Sequence, residues 1–283
     1  MIIKHKRNRL TAVATITALL SIGTVQAHES HDHADVSPDA TVSTDHKKAI
    51  EQYGLPLTLM NTIYEGQITA AEMKGLGTLG VGVSNHLNGE LTAVDGVIYS
   101  IAADGTATVA PDDLQAPYMS MIDFEPSRTV TISNINSFKE LEQAVLANIT
   151  SANTLHVFKA KGMFSFTRLA SAHGVEDEDV DFFEYLDSRQ MYNLEQTEGT
   201  IVGIYTPAYL GTISIPGLHF HFQNADNTVG GHMEDIRFDQ LEFEVQEVDR
   251  INVALPNVQK FRDIDMKMIQ PPSGAGAGGS KSP

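Results

Sequence analysis

Three histidines in one short stretch carry the clearest chemical signal in the sequence. His219 and His221 lie in Gly217-Leu218-His219-Phe220-His221-Phe222, and His232 follows Gly230-Gly231. In an extended strand alternate side chains share a face, so His219 and His221 point one way and Phe220 and Phe222 the other. Their Cα atoms then lie roughly 6.5 Å apart, close enough for two imidazoles to meet on one ion at about 2.1 Å. Gln223 to Val229 is rich in turn formers, so the chain is expected to return as a hairpin and aim His232 at the same point. Three imidazoles leave one position of a tetrahedral ion free for substrate or water, which is the pattern of a catalytic metal site. A lone strand histidine is more often a hydrogen-bonded polar residue than a ligand. The third imidazole behind a glycine-rich return is what favours metal.

The elements that must position these residues read mainly as strands. Leu76 to Tyr99 holds short apolar runs separated by Asn88-Gly89 and Asp95-Gly96, the signature of a β-meander, and Asp104-Gly105 marks a further hairpin. Tyr118 to Ile135 alternates as one or two strands. His46 to Tyr64 has a helical apolar period broken near Pro56, and Ser137 to Ile149 reads as a capped helix through Phe138, Leu141, Val145 and Ile149. Leu155 to Arg168 is expected as strand, turn at Lys161-Gly162, strand. From Gly199 the chain is β-prone throughout: Thr200 to Tyr205, Thr212 to Ile215, Leu218 to Phe222, His232 to Phe238, Leu241 to Val248 and Asn252 to Leu255. Regularly spaced strands of this kind suggest a barrel or sandwich. The run Glu176-Asp177-Glu178-Asp179 lacks the spaced ligands and glycine of a calcium loop and reads as a solvated loop or helix start.

Composition narrows the function. The 283 residues are 42% hydrophobic and 19% charged, with a formal charge of −17 and no cysteine. Thiolate chemistry and disulfides are therefore excluded, and a metal must be held by imidazole and carboxylate. Lys4, Lys6, Arg7 and Arg9 precede an apolar stretch ending in Val25-Gln26-Ala27, which reads as a signal peptide cleaved after Ala27, with a periplasmic or secreted product. Its removal takes away four positive charges and no negative ones, moving the charge from −17 to −21. So acidic a chain has no footprint for nucleic acid and does not favour anionic membranes. The polar leader after Ala27 contains His28, His31 and His33 and is expected to be flexible, as is the Pro- and Gly-rich C-terminal tail.

Several blocks together resemble the alpha-acetolactate decarboxylase family. They are Tyr64-Glu65-Gly66 with Ile68-Thr69, the glycine-rich run ending Leu87-Asn88-Gly89-Glu90, Asp95-Gly96 with Tyr99, and Asp104-Gly105. Gly199-Thr200-Ile201-Val202-Gly203, Thr206-Pro207-Ala208-Tyr209 and the histidine block follow in order. The resemblance implies that His219, His221 and His232 bind one zinc ion. It also implies that Glu90 and the Arg168 of Thr167-Arg168 act at the site, the substrate being 2-acetolactate and the assembly a homodimer. Read alone, Glu90 is a hairpin residue and Arg168 a surface ion-pair residue. The family's glutamate near the C-terminus has no counterpart, because no Glu follows Glu247, and Asp263, Asp265 or Gln270 are the candidates to stand near its place. Val83-Ser84 departs from the family's Thr-aromatic pair at the pocket wall.

The expected architecture is α+β and strand-rich: an N-terminal mixed β-sheet with helices, then a C-terminal barrel- or sandwich-like part carrying the metal site. The expected parts are a signal peptide (1–27), a His-rich leader (28–45), an N-terminal α+β part (46–155), a C-terminal metal-binding part (156–265) and a tail (266–283). The expected reaction is loss of carbon dioxide from 2-acetolactate to give acetoin, with a divalent ion stabilising the enediolate. The same three-imidazole pattern also suits a hydratase or hydrolase using metal-bound hydroxide, or a non-catalytic periplasmic metal carrier with His28, His31 and His33 as its loading arm.

Overall fold

The structure, a computed structural model, describes residues 49–269. The expected signal peptide, the whole of the leader, and residues 270–283 of the tail lie outside the described residues. The division of the chain into compact units keeps both sheets described below in one unit.

The first sheet has seven strands in the order β14-β1-β8-β3-β4-β5-β6. They are β1 (Ala49–Tyr53), β3 (Leu79–Val83), β4 (Glu90–Val94), β5 (Val97–Ile101), β6 (Ala107–Val109), β8 (Tyr118–Ile122) and β14 (Arg250–Ala254). Only β1 and β14 run parallel; the other neighbours are antiparallel. A small ribbon of β2 (Ile68–Thr69) and β7 (Gln115–Ala116) stands beside it. The second sheet contains β9 (Arg128–Ile135), β10 (Leu155–Ser171), β11 (Gln190–Thr206), β12 (Gly217–Asn224) and β13 (Gly230–Val248). Its order is β10-β11-β12-β13-β9, and β13 pairs again with β10, so four strands close a ring of ladders with β9 on the outer side of β13.

Strand parity decides which face does what. On β12, Leu218, Phe220 and Phe222 join an aromatic core with Phe158, Phe164, Phe238 and the helix α3 (Phe138–Asn148). The opposite face of the second sheet carries Val202 and Ile204 of β11. These pack with Ile50, Leu79, Val81 and Ile122 of the first sheet, and His219 and His221 share that face through their cross-strand partners. On β4, Leu91 and Ala93 pack towards α2 (Ala70–Lys74), which sends Glu90 and Thr92 towards the histidines. The site therefore lies between the two sheets.

Packing on the aromatic side fixes β12. Phe220 is fully buried, with ring centroids 6.4 Å from Phe138 and 6.0 Å from Phe158. Gly203 lies opposite Phe220 across the β11–β12 ladder, and a Cβ there would overlap the ring, so the glycine makes room for it. Phe220→Ala is expected to cost about 3–5 kcal/mol, read as a lower urea midpoint at unchanged slope. A midpoint equal to wild type would mean that this face does not hold the strand.

Several expectations need correcting. The first half of 46–64 is a strand, because Ala49 to Tyr53 is taken between β8 and β14; Pro56 starts the short helix α1 (Pro56–Met60) instead of breaking one. No turn occurs at Lys161-Gly162, since β10 runs unbroken and Gly162 pairs with Gly199. The two strands expected from His232 to Val248 are one, and Thr212 to Ile215 is a turn segment and not a strand. The strands change sheet at 123–127, before the expected division at 155, because β9 and α3 pack with the second sheet; β14 then returns to the first. Of the expected tail, Lys267 is anchored at both backbone groups by Asn61.

Candidate metal centre

The hairpin forms as its turn chemistry requires. Asn224 Oδ1 accepts from the amides of Thr228 and Val229 at 2.9 and 3.0 Å, and β12 and β13 pair with His221 opposite His232. His219 lies two residues along the same face. One nitrogen from each imidazole falls within a cluster whose atoms are all within 4.8 Å of one another. His219 Nε2 and His232 Nδ1 are 3.2 Å apart, and the ring centroids are separated by 5.0, 5.0 and 5.5 Å.

Burial keeps these rings neutral. His219 is pushed down to about 4 by desolvation, with the Arg189 charge adding to it, and His221 and His232 fall well below the usual range for the same leading reason. Neutral imidazole is the ligating form, so the cluster is ready for a cation at pH 7. His221 Nε2 is buried and has no hydrogen-bond partner, a cost that an ion in the cluster removes. Three buried, convergent, neutral imidazoles and one orphaned nitrogen fit a divalent metal. The orientation of the His221 ring is supported from behind, where Thr92 Oγ1 sits 3.0 Å from Nδ1. Thr92→Val is expected to weaken metal affinity roughly 10- to 100-fold in a chelator competition titration while leaving the fold intact. Unchanged affinity would remove Thr92 from the site.

Two carboxylates flank the cluster. Glu90 Oε2 lies 3.7 Å from His221 Nε2, and Glu234 Oε1 lies 3.7 Å from His232 Nε2. Burial pushes Glu90 up to about 7; Arg189 opposes that shift and Glu234 adds to it. Arg189, just after α4 (Phe182–Asp187), places Nη2 2.8 Å from Glu234 Oε1. The oxygen is off the line of the N–H bonds, so this is an ion pair and not a directed hydrogen bond. Tyr185 donates to Leu87 O at 3.0 Å and Tyr192 to Gly230 O; the nearby Glu90 charge adds to the burial that raises both phenols, so they form wall on its side.

The structure brings His219, His221, His232 and Glu90 together. It does not bring Arg168 there. Arg168 is half-buried on β10, its Nε donates to Asn193 Oδ1 at 3.3 Å, and its partner across to β13 is Asp235. Among the described residues no interaction links it to the histidines. The arginine at the site is Arg189, which nothing in its local sequence, Asp187-Ser188-Arg189, marks out. Glu234 had a signal: it stands two residues after His232, the spacing that relates His219 to His221. Asp263 and Asp265 are exposed, Asp263 held by Gln259 of its own helix α5 (Gln259–Asp263), and Gln270 lies outside the described residues.

Comparison with known proteins agrees with this architecture. The alpha-acetolactate decarboxylase of Brevibacillus brevis is 26% identical over 260 residues, spanning 92% of this chain and 89% of that protein. That of Lactococcus lactis subsp. cremoris is 29% identical over 222 residues, 77% of this chain and 94% of the relative. The crystal structure of the Bacillus subtilis strain 168 protein superposes with a TM-score of 0.74 at 28% identity, covering 77% of this chain and 93% of the other. Two facing sheets with a buried imidazole cluster and relatives of this kind define an enzyme, a carboxy-lyase. Residues 50–268 match the family profile, and the chain belongs to the alpha-acetolactate decarboxylase family.

Proposed function

We propose that this protein decarboxylates 2-acetolactate to acetoin and carbon dioxide, and that His219, His221 and His232 hold the divalent metal, zinc being the expected ion. The convergence of three neutral, buried imidazoles inside a chain of this family is the observation that carries the reading. The ion, when bound, supplies Lewis-acid stabilisation of negative charge developing on the substrate's ketone oxygen. Loss of carbon dioxide breaks the bond between the carboxylate carbon and the tertiary carbon, and the electron pair moves through that carbon towards the ketone oxygen. One proton must then be delivered to the tertiary carbon to give acetoin.

Glu90 is the group placed to handle that proton. Its carboxyl is buried against His221, and that burial favours the protonated form in the metal-free site, so Oε2 can carry a proton and pass it on. The low exposure of His219, His221, His232 and Glu90 strengthens the charge interactions among them. Purified protein with one equivalent of zinc should release carbon dioxide and acetoin from racemic acetolactate. Turnover of simple esters with none on acetolactate would turn the reading towards a hydrolase. Export with cleavage after Ala27, suggested by the sequence, and assembly as a homodimer, implied by the family resemblance, complete the proposal. The mature N-terminus and the mass in solution test them.

A further inference from the structure

We infer that Arg189, positioned by Glu234, is the residue that receives the substrate's carboxylate in this chain. The inference rests on the acetolactate reading above and deepens it. Arg189 has a side chain only 14% exposed, and Glu234 one of 4%, yet neither is spent on packing alone. The Arg189 Nε is used on Leu186 O at 3.2 Å, which pins the fork to the end of α4. Its Nη2 lies against Glu234 Oε1 without a directed hydrogen bond, and Nη1 makes none among the described residues. The donors of a planar fork, always charged, are thus left facing a site whose other walls are imidazoles and Glu90. Glu234 Oε1 in turn sits 3.7 Å from His232 Nε2, so one carboxylate ties the guanidinium to the histidine cluster.

Charge balance supports the same seat. Three neutral imidazoles, Glu90, Glu234 and Arg189 sum to one negative charge when both carboxylates are ionised. A divalent ion makes the site net positive by one, and a monoanionic hydroxy-keto acid neutralises it. Glu234 Oε1 is buried without a hydrogen-bond partner, whereas no Arg189 nitrogen is, so the fork stays open to an incoming anion. The carboxylate that docks there is the one that leaves as carbon dioxide. The contact persists until the bond breaks, so it supplies binding shared by ground and transition states and acts on KM.

The test separates anion binding from general support of the site. Two probes are used with the metal-loaded enzyme: 2-hydroxyisobutyrate, which keeps the hydroxyl and carboxylate but has no ketone, and acetoin, which has no carboxylate. In Arg189→Met/Glu234→Gln, which removes both charges so that neither is left buried alone, KM for acetolactate is expected to rise roughly 10- to 100-fold. The calorimetric Kd for 2-hydroxyisobutyrate should rise by the same factor, kcat should stay within a few-fold, and acetoin inhibition and metal content should not move. Glu234→Gln alone should show the same split with a smaller rise. Arg189→Lys should recover only part of the loss, because the fork is gone. Unchanged KM and Kd, equal weakening of acid and acetoin, or a rise in KM from Arg168→Ala with none from Arg189→Met/Glu234→Gln would each overturn the inference. A wild-type protein that binds the acid through Arg189 but never turns over acetolactate would refute the functional reading alone.

Discussion

His219→Ala is expected to abolish both bound metal and decarboxylation, with activity down by roughly a thousandfold or more. His219 is the ring common to the closest contacts of the cluster, 3.2 Å from His232 Nδ1 and 5.0 Å, centroid to centroid, from both other rings. Losing it leaves two protein ligands, too few to hold an ion against water, while His221 and His232 keep their strand positions through pairing and burial. The several kcal/mol that a Lewis acid contributes then disappear, and each 1.36 kcal/mol is a factor of ten in rate. Metal analysis and the acetoin assay on the same preparation check this. The variant should unfold near the wild-type apo protein, since the core on the far side of β12 is untouched. A metal-free His219→Ala protein with wild-type turnover would sink the assignment.

Much of this site could be read from the chain because its geometry is local. His219 and His221 share a face by strand parity, and His232 is brought back by a five-residue connection closed by Asn224 at the end of β12. The same parity puts Glu90 and Thr92 together on β4, although which sheet they would face depended on packing that no local pattern encodes. Glu234 was visible in principle as the next same-face residue after His232. Arg189 was not: its place follows from how α4 ends and β11 begins, beside strands far away in sequence. The resemblance drew attention to Arg168 instead, which here turns to Asn193. In Leu155 to Ser171 and in Gly230 to Val248 the ladders override the local turn signals, because each strand is paired on both sides over long stretches. β1 shows the opposite limit, an apolar period that read as helix until two neighbouring strands claimed its backbone.

Glu90→Gln separates catalysis from stability by opposite signs. The substitution keeps the shape and removes the titrating proton, so kcat is expected to fall about 100- to 10,000-fold, the usual worth of a positioned acid or base. The pH profile of kcat should also lose the ionisation of the Glu90 carboxyl. Stability moves the other way in the metal-free protein. Glu90 is raised from its ordinary 4.5 to about 7, so the folded state holds a proton that the unfolded state has released between those values. Wild-type stability therefore falls as pH rises from about 4.5 to 7, and the cost is fully present above 7. Removing the charge should make apo Glu90→Gln more stable than wild type by roughly 1–3 kcal/mol at pH 8, with the difference vanishing towards pH 4.5. Denaturation of the two apo proteins across that range reads it directly. A variant that loses activity and is also less stable at pH 8 would show that Glu90 serves the fold and not the proton transfer.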